Sequence, residues 1–360
     1  MYSFEPNEEQ QMLLDSVSRY AKGDLRPAAR ECEESKTLPQ KLVRKGWELG
    51  VLQASTPEAY GGFGERSAVT GVLAAEAMAW GDLAGTLAVM TPGLFTLPIL
   101  LAGSEEQKKQ WVEPVVSGDW QPFSAALIEP SFDFDPNDLK TSATPQGDSY
   151  LLNGVKSMVP YAETAPALII YAKLDGATRA FIVPQNTPGL TVAAREKLMS
   201  LNALPLYRLN LENVSVPQAN LLPGDFAPVL AAMRVANAAL ALGVATASLE
   251  YARDYAKERQ AFGVKIAQKQ AIAFMLAEMA TEIEAMRLLT WQAAWMLDAG
   301  KEEAFTQAYL AATGAADMAM MVTDRGVQIL GGHGYIREYP VEMWMRNGRG
   351  FAAFTGLAIA

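Results

Sequence analysis

Arg259-Gln260-Ala261-Phe262-Gly263, with Gln270 downstream, and Gln328-Ile329-Leu330-Gly331-Gly332 are the stretches on which the reading of this chain turns. Arg259 carries a planar, permanently charged fork suited to an anionic oxygen. Phe262 offers an apolar face, and Gly331 and Gly332 let backbone approach another group closely. A plainer reading stands beside this one. A cation at 259 also suits the negative end of a helix, and a glycine pair also terminates one.

Around these stretches the pattern is helical. Positions 226–258 form a long alanine-rich run, 269–299 a second and 301–330 a third. Small residues such as Ala238, Ala241, Gly243 and Ala245 let helices approach closely, and long helices of this kind pack as an antiparallel bundle. This helical domain is expected to span 223–360. From 119 to 222 the apolar runs shorten and become β-prone, at 150–152, 168–172, 180–184, 190–192 and 209–216. Gln146-Gly147-Asp148, Asn153-Gly154, Asp175-Gly176 and Pro188-Gly189 punctuate them, as turns between antiparallel strands require. Positions 1–118 read as an N-terminal helical domain. Met12, Leu13, Val17 and Tyr20 share one face of a first helix, Pro27 begins a second, and Ser104-Glu105-Glu106-Gln107 caps a short helix ending before Pro114.

Bulk properties exclude several classes. At 360 residues the chain can bury a sizeable core. A net charge of −10 without a Lys/Arg cluster argues against nucleic acid. Cys32 is the one cysteine, so no disulfide forms within the chain and a cytoplasmic setting is expected. Met1-Tyr2-Ser3-Phe4-Glu5-Pro6 lacks the basic and apolar regions of a signal peptide. Positions 83–103 are uncharged and long enough to span a bilayer, but Pro92, Pro98 and three glycines point to buried, broken helices instead. No membrane partner is expected.

The order of helical domain, β domain and helical bundle resembles the acyl-CoA dehydrogenase family, an α+β fold with an N-terminal helical domain, a central antiparallel β domain and a C-terminal four-helix bundle. The resemblance runs nearly end to end. Pro57-Glu58-Ala59-Tyr60-Gly61-Gly62, Glu129-Pro130, Leu152-Asn153-Gly154-Val155-Lys156 and Asn213-Val214-Ser215-Val216-Pro217 fall at family-like intervals with the two opening stretches. It implies FAD as cofactor and removal of hydrogen from the α and β carbons of an acyl-CoA thioester. It also implies that Arg259, Phe262, Ile266, Gln270, Gln328, Ile329, Gly331 and Gly332 reach the adenosine diphosphate half of a neighbouring subunit's FAD.

The catalytic base that the resemblance leads one to expect is missing. The family's R-D-A-R and Y-E-G-T elements read Arg346-Asn347-Gly348-Arg349 and Phe354-Thr355-Gly356-Leu357, and positions 343–360 contain no Asp, Glu, His, Cys or Lys. The alternative glutamate, ahead of an arginine on the first long bundle helix, is Met233 before Arg234. Losing a positioned base costs on the order of 10²- to 10⁴-fold. The flavin-facing elements have drifted as well. Glu129-Pro130 continues as Ser131-Phe132-Asp133-Phe134-Asp135, and the W-I-T/S element reads Met158-Val159-Pro160, where proline has no N–H to donate. Four residues follow Gly356 here, where the resemblance leads one to expect a closing helix.

Elements serving a subunit's own flavin are thus degraded, while those reaching a neighbour's flavin are kept. The resemblance implies a subunit of an α2β2 complex acting in acyl-CoA or fatty acid degradation. It would lack its own base and complete the FAD site of a catalytic acyl-CoA dehydrogenase partner, with acyl-CoA bound through the complex and an electron-transfer flavoprotein as a candidate acceptor. Two alternatives stay open. One is a homotetrameric acyl-CoA dehydrogenase with an unrecognised base, for which Glu163 is the least implausible residue. The other is a flavin-free scaffold or regulator. His333, the only histidine, reads as a loop residue, and with one His and one Cys no zinc set can be assembled. Asp133, Asp135 and Asp138 read as a solvated loop rather than a calcium site.

Overall fold

The computed structural model describes residues 6–360, so the Met1–Glu5 part of the signal-peptide reading lies outside the described residues. Helices fill the first third: α1 (Glu8–Tyr20), α2 (Arg26–Ser35), α3 (Gln40–Trp47), α4 (Val51–Ala54), α5 (Ala68–Gly81), α6 (Leu83–Met90), α7 (Gly93–Ala102), α8 (Glu105–Gln107) and α9 (Glu113–Val116). Val17 and Tyr20 are buried as expected, but Met12 is 72 % exposed, so the buried face of α1 is narrower than its pattern suggests. Pro27 stands in the first turn of α2, as expected, whereas the helix that starts after Ser104 continues through Pro114 instead of ending before it. A turn of π-helix precedes each, at Ala21–Leu25 and Lys108–Val112. The carbonyls that the two proline rings would strike, at Gly23 and Gln110, lie inside those widened turns. The capping box at Ser104 and Gln107 is present.

The uncharged stretch folds as α6 and α7, bent by 49° at Thr91-Pro92 and buried. Among the described residues, Phe226–Glu258 alone is a single helix long and apolar enough to cross a membrane, and 89 % of its apolar window is buried inside the protein.

The middle third forms one sheet from β1 (Ser124–Ala126), β2 (Ser142–Gln146), β3 (Ser149–Pro160), β4 (Ala167–Leu174), β5 (Ala177–Pro184), β6 (Leu190–Arg195) and β7 (Leu206–Pro217). Its order is β1-β4-β2-β3-β7-β6, with β5 on the other side of β4. Pairing is antiparallel except that β1 runs parallel to β4, as β2 does at one residue pair. The last third holds the long helices α10 (Phe226–Glu258), α11 (Gln270–Asp298) and α12 (Ala304–Leu330) and the short α13 (Val341–Gly348). A two-stranded hairpin, β8 (Gln260–Ala261) and β9 (Val264–Lys265), separates α10 from α11. α5 from the N-terminal third packs against both α10 and α11, so the bundle's core is shared between the two helical regions.

Candidate functional site

Short connections make α10, α11 and α12 alternate in direction, which gathers the C-terminal ends of α10 and α12 with the N-terminal end of α11. The retained residues lie at this end. Arg259 ends α10, its N–H donating to the Tyr255 carbonyl at 2.9 Å. Its guanidinium has no ion-pair partner among the described residues. Phe262 (φ 52°) and Gly263 (φ 79°) form the two-residue turn of the β8–β9 hairpin, the positive-φ geometry that tight hairpins favour. Phe262 is 92 % exposed. Lys269 Nζ lies 5.8 Å from the centre of its ring. The Ile266 N–H closes the hairpin base on the Arg259 carbonyl at 2.9 Å, and its half-buried side chain packs on the core.

Gln270 and Gln328 are exposed at the same end. Gly331 adopts φ 59°, ψ −128°, a conformation essentially reserved for glycine, and the space beside Gly331 and Gly332 is open. Ile329 is 4 % exposed and faces the core, so it anchors the helix end rather than offering a contact. His333, expected to be an idle loop residue, is bonded: its Nδ1 lies 2.7 Å from the Tyr255 hydroxyl.

The other expected site lies between the β sheet and the start of α10. Glu129 is buried and accepts from the Lys140 and Thr141 N–H groups at 2.8 and 2.9 Å and from Lys156 Nζ at 2.9 Å. Burial pushes the Lys156 ammonium down to about 8 against the pull of Glu129. Burial raises the Glu129 carboxyl, but Lys156 and the hydrogen bonds outweigh it, and the net direction is downward. Glu129 is therefore a paired structural anion, unsuited to act as a base. Both residues stand in quoted motifs, yet only the fold pairs them. Beyond them, Lys140 Nζ braces the loop on Ser131 Oγ (2.8 Å) and Asp133 (2.6 Å), leaving Phe132 fully exposed. Among the described residues, no group of three acidic, His or Cys side chains could hold a metal ion.

The segment expected to face an isoalloxazine is turned to other work. Met158 has φ 55°, and its N–H donates to Glu196 at 2.7 Å. Tyr161, just past Pro160, packs edge-on against Trp120 at 5.4 Å, and both join Ile128 in the core. Thr355 is half-buried beside Gly356, where an added Cβ would meet Leu127 at 3.1 Å. Met233, 0 % exposed, packs in the same cluster as Leu127 and Ile359. Neither expected glutamate position carries a carboxylate. Leu357, Ala358, Ile359 and Ala360 are buried, with Ala360 N–H on the Ala232 carbonyl at 3.3 Å. A cavity lined by Trp47, Gly93, Leu97, Ile359 and Ala360 has about 30 Å³, room for a water or two. Arg234 lies nearby, 4.9 Å over the Tyr309 ring. Glu163 is exposed at the turn after β3 and accepts from the Tyr207 hydroxyl at 2.7 Å.

Comparison with known proteins supports the same architecture. Family models match as acyl-CoA dehydrogenase N-terminal domain over 7–119, middle domain over 124–214 and C-terminal domain over 227–357. The chain is 35 % identical over 358 residues to the short-chain specific mitochondrial acyl-CoA dehydrogenase of Homo sapiens, covering 96 % of this chain and 86 % of that one. Its fold superposes on butyryl-CoA dehydrogenase from Megasphaera elsdenii with a TM-score of 0.89 and 32 % identity, covering 99 % of this chain and 96 % of that one. An acyl-CoA dehydrogenase from Bacillus anthracis complexed with FAD superposes with a TM-score of 0.85 and 27 % identity, covering 99 % of this chain and 67 % of that one.

Proposed function

The chain belongs to the acyl-CoA dehydrogenase family, and on that premise we propose that it is a subunit of an FAD-dependent acyl-CoA dehydrogenase that lacks its own catalytic base and completes the FAD site of a catalytic partner. The observation that carries this reading is an asymmetry. A half-buried Thr355 and a fully buried Met233 occupy the family's two glutamate positions, while Arg259, Phe262, Gly331 and Gly332 stand open at the bundle end.

The residues present suit the cofactor at one end only. At the bundle end, Arg259 supplies a fixed cation for pyrophosphate oxygens, and Phe262 covers an apolar face of the ligand. Gly331 and Gly332 leave room for backbone to approach it. In the β3 element that the family turns toward the flavin, Pro160 withholds an N–H, and the following Tyr161 packs on Trp120 in the core. FAD, when bound in the complex, supplies the acceptor for the hydride that leaves the β carbon. The base that takes the α-proton resides on the partner, and an electron-transfer flavoprotein is the candidate acceptor for the complex.

Co-purification of the chain with the partner tests this. The complex should show flavin absorbance that is lost on Arg259→Ala in this chain. Retention of full flavin content by that variant would refute cofactor donation.

A further inference from the structure

Three rings fill the angle between the two helix ends that carry the retained residues. The Tyr255 hydroxyl, on the last turn of α10, meets His333 Nδ1 at 2.7 Å. The imidazole stacks on Tyr339, with centroids 4.9 Å apart and planes 9° apart. Tyr255 stands edge-on to both, at 5.9 and 6.2 Å. Each ring is tied to a different element. The Tyr255 carbonyl holds the Arg259 N–H at 2.9 Å, and the Tyr339 carbonyl accepts from Arg30 Nη2 at 3.0 Å. His333 itself follows Gly331-Gly332 directly. At Gly334 a Cβ would lie 2.4 Å from the Val327 carbonyl oxygen, so the turn is pressed onto the end of α12 and the direction of His333 is fixed.

The hydrogen bond therefore spans the two stretches quoted at the outset. It joins the residue after Gly332 to the residue whose carbonyl caps Arg259. Those stretches come from helix ends that would fray independently without a lateral tie. A half-buried hydrogen bond between two rings is directional and fixes a separation, which stacking alone does not.

We propose that His333 is a positioning residue whose bond to Tyr255 sets the distance between Arg259 and Gly331-Gly332, and so the fit of the bundle end to the adenosine diphosphate half of a dinucleotide. The inference rests on the cofactor-donating role above. Tyr255→Phe and His333→Phe remove the bond while keeping a ring in each place.

The test uses the complex of this chain with its catalytic partner, stripped of flavin and titrated with FAD and, separately, with FMN, which lacks the adenosine half. Each variant should weaken FAD binding about fivefold, the factor that ~1 kcal/mol represents. The double variant should be no weaker than either single, and FMN binding should not change. Unchanged FAD affinity, equal losses for FAD and FMN, or a double variant as weak as the product of the singles would each overturn the proposal. Arg259→Ala separates the two levels. If it weakens FAD binding while the ring variants do not, the positioning role alone fails. If it leaves FAD binding intact, the cofactor-donating reading fails with it.

Discussion

On the proposed reading Thr355 and Met233 occupy the positions of the family's base, and restoring one carboxylate should not restore an enzyme. Thr355→Glu places a carboxyl one residue from Gly356, which packs against Leu127 and Ile128, but Pro160 still offers no N–H. The expected outcome is turnover of butyryl-CoA by the variant chain alone that stays at background with an artificial electron acceptor. A gain of roughly 100-fold, the scale of a recovered base, would mean that only the base was missing. At this scale the sequence showed which side chain stands at a position, a threonine at 355 or a proline at 160. It was silent where distance decides. Nothing in the spacing of Glu129 and Lys156, or of Tyr255 and His333, shows that each pair meets within 3 Å.

At the scale of elements, boundaries depended on backbone hydrogen bonding that sequence signals approximate. The prolines at 27 and 114 read as helix starts or stops, yet π-turns let the chain continue through both. The N-terminus of α6 has a capping residue with a pH signature. Asp82 accepts from the Gly85 N–H at 2.7 Å while buried. Burial pushes its carboxyl from 3.8 up to about 6, partly opposed by the Gly85 hydrogen bond. A carboxyl raised on folding contributes fully below its unfolded value and loses that contribution as pH rises through about 6. Asn caps as well as Asp and carries no charge. Asp82→Asn should therefore raise stability at pH 8 by on the order of 2 kcal/mol and leave it nearly unchanged at pH 4, read from denaturant melts at both pH values. Equal gains at both would place the effect elsewhere.

Across the whole molecule, the order helical, β, helical was legible because composition shifts from alanine-rich runs to short β-prone runs and back. Which elements clamp the three regions together was not, because the partners lie far apart in the chain. Arg346, quoted first as part of a family element, bonds Glu33 on α2 at 2.5 Å, Glu342 at 2.9 Å and the Met199 carbonyl beyond β6 at 2.8 Å. Arg30 also bonds Glu342 at 2.5 Å. Arg346→Leu leaves two partly buried carboxylates short of a partner and should cost about 3 kcal/mol in a denaturant melt. Burial raises the Glu342 carboxyl, but Arg346 and Arg30 outweigh it and hold it below its ordinary value. That contribution is present above the unfolded value and is lost as pH falls through the folded one, so the intact protein should lose stability below about pH 4.5 more steeply than the variant.

As proposed, this chain donates to a partner's cofactor site rather than catalysing by itself. Flavin stoichiometry tests this most directly, measured by absorbance on the chain purified alone and on the chain purified with a relative that keeps the glutamate of the E-G-T element. The account predicts little or no FAD on the chain alone and one FAD per heterodimer in the complex. Stoichiometric FAD on the isolated chain, with turnover of an acyl-CoA, would contradict it.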